Sequence, residues 1–177
     1  MKPFFPIFID VSEMKITVVG GGKVAARRIE TLLAFAEDIT VISPEVLGEI
    51  NKAAEEKKIR WFPISFQSPE AKEIICRSEL VLAATNDTAC NEQIAGLCRE
   101  RKIPVNVSHK KELCDFYFPA VAVQENIVAG ITASGLDHGQ ARRARVRIEK
   151  ALAQEQCEKE HIDTEEQKEY LKMMKIK

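Results

Sequence analysis

The segment "KITVVGGGKVAARRIETLL", residues 15–33, constrains the fold more than any other part of the chain. A β-branched run ends in three consecutive glycines, and an apolar pattern of helical period starts directly after them. Gly20, Gly21, Gly22, Lys23, Val24 and Ala25 fit G-x-G-x-x-A, here between an expected strand and an expected helix. In that pattern Gly20 permits the tight turn, Gly22 lets the backbone approach a diphosphate, and Ala25 keeps the helix close to the sheet. The helix N-terminus adds free N–H groups and partial positive charge. A glycine-rich turn that holds no ligand is the alternative.

The alternation continues well beyond this junction. Residues 15–20, 38–43, 59–64, 79–85 and 103–108 read as short apolar strands. Residues 23–36, 45–57, 69–77 and 88–101 read as helices between them. The expected inner positions are Val24, Ile29, Leu32 and Leu33 in the first helix, and Val46, Leu47, Ile50 and Ala54 in the second. In the fourth they are Ile94, Leu97 and Cys98. Pro63 marks the third strand as an edge. Such alternation with short connections implies right-handed crossovers and a Rossmann-like, doubly wound parallel sheet of the α/β class.

The pattern changes after residue 113. Residues 115–123 and 126–134 are strand-like runs that make a two-strand ribbon. Such a ribbon is marginal alone, and a second subunit is an economical partner for its apolar faces. A charged helix is expected over 139–157, followed by a charged tail. The expected organisation is a nucleotide-binding domain over 1–113, a strand-rich region over 114–150 and a C-terminal helical segment over 151–177.

Composition excludes little but excludes it clearly. A net charge of −1 gives no general reason to expect nucleic acid or an anionic membrane as partner. No apolar run approaches the roughly 20 residues of a membrane span. The opening "MKPFFPIFID" has its apolar stretch broken by Pro3 and Pro6, which does not read as a signal peptide. Five cysteines with no C-x-x-C fit reduced thiols in a cytoplasmic protein, most of them serving as small core side chains rather than as redox or metal groups.

At the end of the second expected strand, where an acid commonly binds the adenosine ribose, the sequence reads Ser43, Pro44, Glu45. Glu45 either meets the ribose or starts the next helix. No Arg or Lys stands there for a 2′-phosphate, which favours NAD over NADP. Thr85 and Asn86 close the fourth strand at the ligand end of the sheet. They fit the nicotinamide side, although Asn86 and Asp87 fit equally well as caps of the following helix.

Taken in order, "FPIFIDV", "KITVVGGGKVAARRIETLL", "ITVISPE", "LVLAATND", "CNEQI", "IPVNVS" and "ELCDFYFPA" resemble the precorrin-2 dehydrogenase / sirohydrochlorin ferrochelatase family. This is the amino-terminal half of bacterial sirohaem synthase or its stand-alone form. The resemblance covers residue 4 to about residue 150. It implies a homodimer with an interlocked dimerisation region over 114–150. It also implies oxidation of precorrin-2 to sirohydrochlorin with NAD⁺ and, in some members, insertion of Fe²⁺.

Two departures stand out. The family often reads N-V-x-D-D after the fifth strand. Here Asn106 matches, but His109 stands at the acid's place and Lys110 at the next. The family's S-T-G-G-x-S-P and A-R motifs align with Thr132, Gly135, Ala141 and Arg142, with Asp137 and His138 where Ser and Pro are usual. The resemblance thus implies Asn106, Thr132, Gly135 and Arg142 as substrate contacts. His109 suits a general base or a metal ligand, since an unperturbed imidazole titrates near pH 6.5. A surface loop residue beside two lysines is the plain alternative. Lys110, Lys111, Arg142, Arg143 and Arg145 suit a carboxylate-rich substrate, or form a solvated face. Three functions follow: an NAD-dependent dehydrogenase, a chelatase with a weakened dehydrogenase step, or a non-catalytic sensor of NAD or tetrapyrrole.

Overall fold

A computed structural model of the chain describes residues 4–133 and 139–154. The chain divides into two compact units, one over residues 7–118 and one in which residues 4–6 join residues from Pro119 onward. The first contains β1 (Ile16–Val19), α1 (Lys23–Leu32), β2 (Ile39–Ile42), α2 (Gly48–Glu55) and β3 (Arg60–Phe62). It continues with α3 (Pro69–Cys76), β4 (Leu80–Ala83), α4 (Thr88–Glu100), β5 (Val105–Val107) and a 3₁₀ turn at Lys111–Leu113. The five strands form one parallel sheet in the order β3-β2-β1-β4-β5. The expected Rossmann-like sheet is therefore present, and β3 lies at its edge as Pro63 implied.

Alternate residues of each strand feed two cores. Ile16 and Val18 of β1, Ile39 and Val41 of β2, and Leu80 and Leu82 of β4 pack under α1 and α2. Val19, Ile42, Val81, Ala83, Val105 and Val107 pack under α3 and α4. All four residues of β1, β2 and β4 are buried, as helices on both faces of a parallel sheet require. The outer edge of β5 is closed by residues 114 and 115 rather than by a sixth strand, the Asp115 N–H donating to the Val105 carbonyl (2.8 Å). Its Val105 N–H donates to the Asp115 carboxylate (2.9 Å) and its Val107 N–H to the Cys114 thiol (3.1 Å). Cys98 lies in the α4 core, and burial pushes its thiol up to about 12. Cys76, Cys90 and Cys114 are half-buried, and no disulfide joins the cysteines of the described residues.

Several expected inner positions moved. Val24 is exposed, and α1 instead buries Ala25, Ala26, Ile29 and Leu32. Small alanines there let the helix lie close to the sheet, as Ala25 does beside the glycine turn. Leu47 is likewise partly exposed, and α2 buries Ile50 and Ala53. The reason is that α2 starts at Gly48, three residues later than expected. The Leu47 N–H donates to the Gly21 carbonyl (3.0 Å), which ties residues 43–47 to the glycine junction as a loop.

The second unit holds β6 (Ala120–Gln124), β7 (Ile127–Ile131) and a helix over 139–154, here α5. β6 and β7 pair antiparallel, Ala120 opposite Ile131 and Gln124 opposite Ile127. The expected first ribbon strand began at 115, but it starts only at Ala120. Phe116 and Phe118 pack instead against the α1–α2 core of the first unit, and Pro119 has no N–H to give a ladder. Within this ribbon Ala122 is buried while Val123, Ile127 and Val128 stay exposed.

Candidate functional site

The sheet's strand order reverses between β1 and β4, and the site gathers at the carboxyl ends of these strands, where such folds bind ligands. Three glycines shape its floor, each differently. Gly20 has φ +125°, and a Cβ there would fall 2.4 Å from the Ala84 carbonyl oxygen. A Cβ on Gly21 would lie 2.0 Å from the Glu45 carbonyl oxygen and 2.8 Å from the Ser43 hydroxyl. These two glycines are needed by the fold itself: they let β1 turn against β4 and against the β2–α2 loop. Gly22 is not. Within 4 Å its added Cβ would meet only Asn86 Oδ1, at 3.8 Å.

Gly22 is also the N-cap of α1, and no side chain caps that end. The first helical bond runs from Ala26 N–H to the Gly22 carbonyl (2.9 Å). The N–H groups of Lys23, Val24 and Ala25 therefore have no partner within the helix. The first turn carries no acid. Open space before a bare glycine, and a helix N-terminus without a cap, fit the diphosphate of a dinucleotide. α4 begins beside it in the opposite manner: Asp87 caps it, accepting from the Ala89 (2.9 Å) and Cys90 (3.1 Å) N–H groups. Of the two proposed caps Asp87 takes the role, and Asn86 is left exposed toward Gly22.

At the end of β2 the Ser43 side chain is buried and donates to the Glu45 carbonyl (2.6 Å). The Trp61 indole N–H donates to the Ser43 carbonyl (2.9 Å). Pro44 and Glu45 are exposed. Glu45 does not start α2; the acid in that first turn is Glu49.

On the other side of the switch point lies a group that the sequence did not single out as a site. Asn91, in α4, is fully buried. Its Oδ1 accepts from the Thr85 N–H (3.0 Å) and lies 2.8 Å from Thr85 Oγ1. Its Nδ2 donates to the Thr85 carbonyl (3.0 Å) and sits 3.3 Å from His109 Nδ1. Asn91 thereby joins the end of β4 to the residues just after β5. The signal was available: a polar amide one turn before Ile94, on the buried side of an amphipathic helix. The His109 side chain is 25 % exposed, with Nε2 4.0 Å from Glu92 Oε1. Lys110 Nζ donates to that same carboxylate oxygen (2.7 Å) and holds the Glu92 carboxyl below the usual range.

The remaining expected residues are placed otherwise. Asn106 is buried; its Nδ2 donates to the Phe116 carbonyl (2.7 Å), which ties β5 to the chain that follows, while its Oδ1 is buried without a hydrogen-bond partner. Thr132 follows β7, and Arg142 is exposed on α5; both belong to the second unit. Gly135, Asp137 and His138 lie outside the described residues. So do His161 and Cys157.

The fold is that of a Rossmann-like α/β protein with an uncapped glycine junction at its switch point. A family profile described as "Putative NAD(P)-binding" matches residues 7–120, and the chain belongs to that family. The siroheme synthase of Ruthia magnifica subsp. Calyptogena magnifica is 34 % identical over 149 residues, which cover 84 % of this chain and 31 % of that protein. The siroheme synthase of Nitrosospira multiformis is 33 % identical over 150 residues, 82 % of this chain and 31 % of that one. The chain thus spans about three-tenths of the length of these relatives. A solved structure of SirC, a precorrin-2 dehydrogenase, shares the fold over 84 % of this chain and 70 % of its own, with a TM-score of 0.69 and 22 % identity. The resemblance read from the sequence is borne out. Among the described residues no helix is long and apolar enough to cross a membrane.

Proposed function

We propose that this chain oxidises precorrin-2 to sirohydrochlorin with NAD⁺, a step in siroheme biosynthesis. The observation that carries the reading is the juxtaposition of an open, uncapped glycine junction with the Thr85–Asn91–His109 cluster across one switch point. The similarity to siroheme synthases over most of the chain supports it.

The bound dinucleotide supplies a hydride acceptor. The chain's own residues do the rest. Gly22 and the N–H groups of Lys23, Val24 and Ala25 hold the diphosphate, with Gly20 and Gly21 shaping the turn beneath. Ser43 and Pro44 shape the loop that presents Glu45 to the adenosine ribose. With an acid and no cation there, NAD is favoured over NADP. Thr85 and Asn86 border the nicotinamide side, and His109 meets the tetrapyrrole. Holding the two reactants together is itself a large part of such catalysis. Lys110 attracts the substrate's carboxylates, and the family resemblance adds Thr132, Gly135 and Arg142 as substrate contacts.

The same reading includes a homodimer. Val123, Ile127 and Val128 on the ribbon and Val146 on α5 are exposed large apolar side chains, more than one short ribbon keeps in water without a partner. The free thiols fit a cytoplasmic setting. Insertion of Fe²⁺ into the product is a second activity that rests on the family resemblance alone.

The test mixes purified protein with precorrin-2 and either NAD⁺ or NADP⁺, and follows sirohydrochlorin absorbance together with reduced nicotinamide. NAD⁺-dependent formation of both is expected. Nucleotide binding without oxidation above the uncatalysed rate would sink the dehydrogenase reading. Adding Fe²⁺ to sirohydrochlorin then decides the chelatase step, and sedimentation decides the dimer.

A further inference from the structure

The hydrogen bonds around Asn91 fix more than the position of His109. A backbone N–H only donates and a backbone carbonyl only accepts. Thr85 presents both to the Asn91 side chain, at 3.0 Å each, so the amide has one orientation: Oδ1 toward the N–H and Nδ2 toward the carbonyl. One Nδ2 hydrogen is used by the Thr85 carbonyl. The other faces His109 Nδ1 at 3.3 Å, where only a lone pair is compatible with it. A neutral imidazole whose Nδ1 accepts carries its proton on Nε2. Nε2 is the nitrogen on the Glu92 side, 4.0 Å from that exposed carboxylate.

We propose that Asn91 is a positioning residue that holds neutral His109 as the Nε2–H tautomer, so that His109 serves the substrate as a hydrogen-bond donor and not as a proton acceptor or metal ligand. In this arrangement neither ring nitrogen has an unused lone pair. The general-base and metal-ligand roles expected for His109 each require one. The Nε2–H group instead suits an anionic oxygen. A carboxylate of an acidic substrate takes that place in competition with Glu92, beside the Lys110 ammonium. This assignment rests on the proposed function for the identity of the substrate, but the tautomer does not.

Nitrogen-15 NMR of the full chain, at a pH where the ring is neutral, reads the tautomer directly. The His109 signals are identified among the three histidines by their loss in His109→Gln. A pyrrole-type Nε2 and a pyridine-type Nδ1 are expected. A proton on Nδ1, or the averaged signals of a freely exchanging ring, would overturn the proposal. Asn91→Asp replaces the donor with an acceptor-only group and is expected to move the ring proton to Nδ1. If that variant folds and the proton stays on Nε2, Asn91 is not what sets it; if it does not fold, the wild-type spectrum still decides.

Turnover separates the two roles. Gln keeps an N–H donor and has no base, so His109→Gln should retain clearly more kcat/KM than His109→Ala, whereas loss of a general base would lower kcat in both variants alike, by about 10²-fold or more. His109→Ala should raise KM about tenfold, and a fall in kcat with KM unchanged would count against the donor role. A wild-type chain with the Nε2–H tautomer but no oxidation of precorrin-2 would refute the function and leave the tautomer standing. Turnover with the opposite tautomer would do the reverse.

Discussion

The two sides of the crevice are built from different materials. On the α1 side the work is done by backbone: Gly20 and Gly21 allow close approaches that a Cβ forbids, and Gly22 leaves space beside a helix end with no cap. On the α4 side the helix end is capped by Asp87, and one buried amide, Asn91, organises Thr85 and His109. A backbone-made site binds any group of the right charge and shape, which suits a common cofactor. A side-chain-made site fixes individual donors and acceptors, which suits recognition of one substrate.

That contrast breaks first at Gly21. Gly21→Ala puts a methyl group onto the Glu45 carbonyl and should cost roughly 3 kcal/mol or more of stability, measured by denaturant unfolding. Gly22→Ala meets only Asn86 Oδ1 at 3.8 Å and should leave unfolding unchanged. Equal losses in the two variants would erase the distinction drawn between them.

On the side-chain half, Asn91→Ala leaves the half-buried Thr85 N–H and carbonyl without their partner. About 2–3 kcal/mol should be lost, again by denaturant unfolding. A loss below about 0.5 kcal/mol would mean that solvent already serves Thr85.

Gly22→Val sharpens the comparison from the ligand's side. The fold should persist while NAD⁺ affinity falls at least tenfold, or about 1.4 kcal/mol, by fluorescence titration. Normal titration by this variant would remove the diphosphate from the α1 end. The smallest effect belongs to Asp87→Ala, which removes two hydrogen bonds at the α4 cap. It should cost about 1 kcal/mol of stability without weakening NAD⁺ binding more than about twofold, against the tenfold that marks a lost contact.

The same contrast explains what was legible in the sequence. Backbone requirements leave a compositional trace, because only glycine satisfies them; hence the glycine run announced the tight junction between β1 and α1. The β-branched strands and amphipathic helices announced the parallel sheet for a similar reason, since burial on both faces demands nearly continuous apolar runs. Side-chain pairing leaves a weaker trace. A buried-side amide in α4 flags Asn91, but nothing local says that it meets His109, eighteen residues further on. Asn106 shows the same limit: it matches a family position, but only the fold shows that its Nδ2 bonds to the Phe116 carbonyl and its Oδ1 is left without a partner. Val24 misled because periodicity alone does not say which face of α1 the neighbouring alanines bring against the sheet.

By itself, then, the sequence determined the class of fold, the order of its elements and the bare helix end where a diphosphate fits. These follow from local preference and from the amount of apolar surface each segment must bury. Tertiary structure alone decided which glycine is spare and which nitrogen of His109 faces the Asn91 amide. Each of those depends on a close approach between segments apart in the chain, and hydrogen-bond direction is set only once both partners are in place.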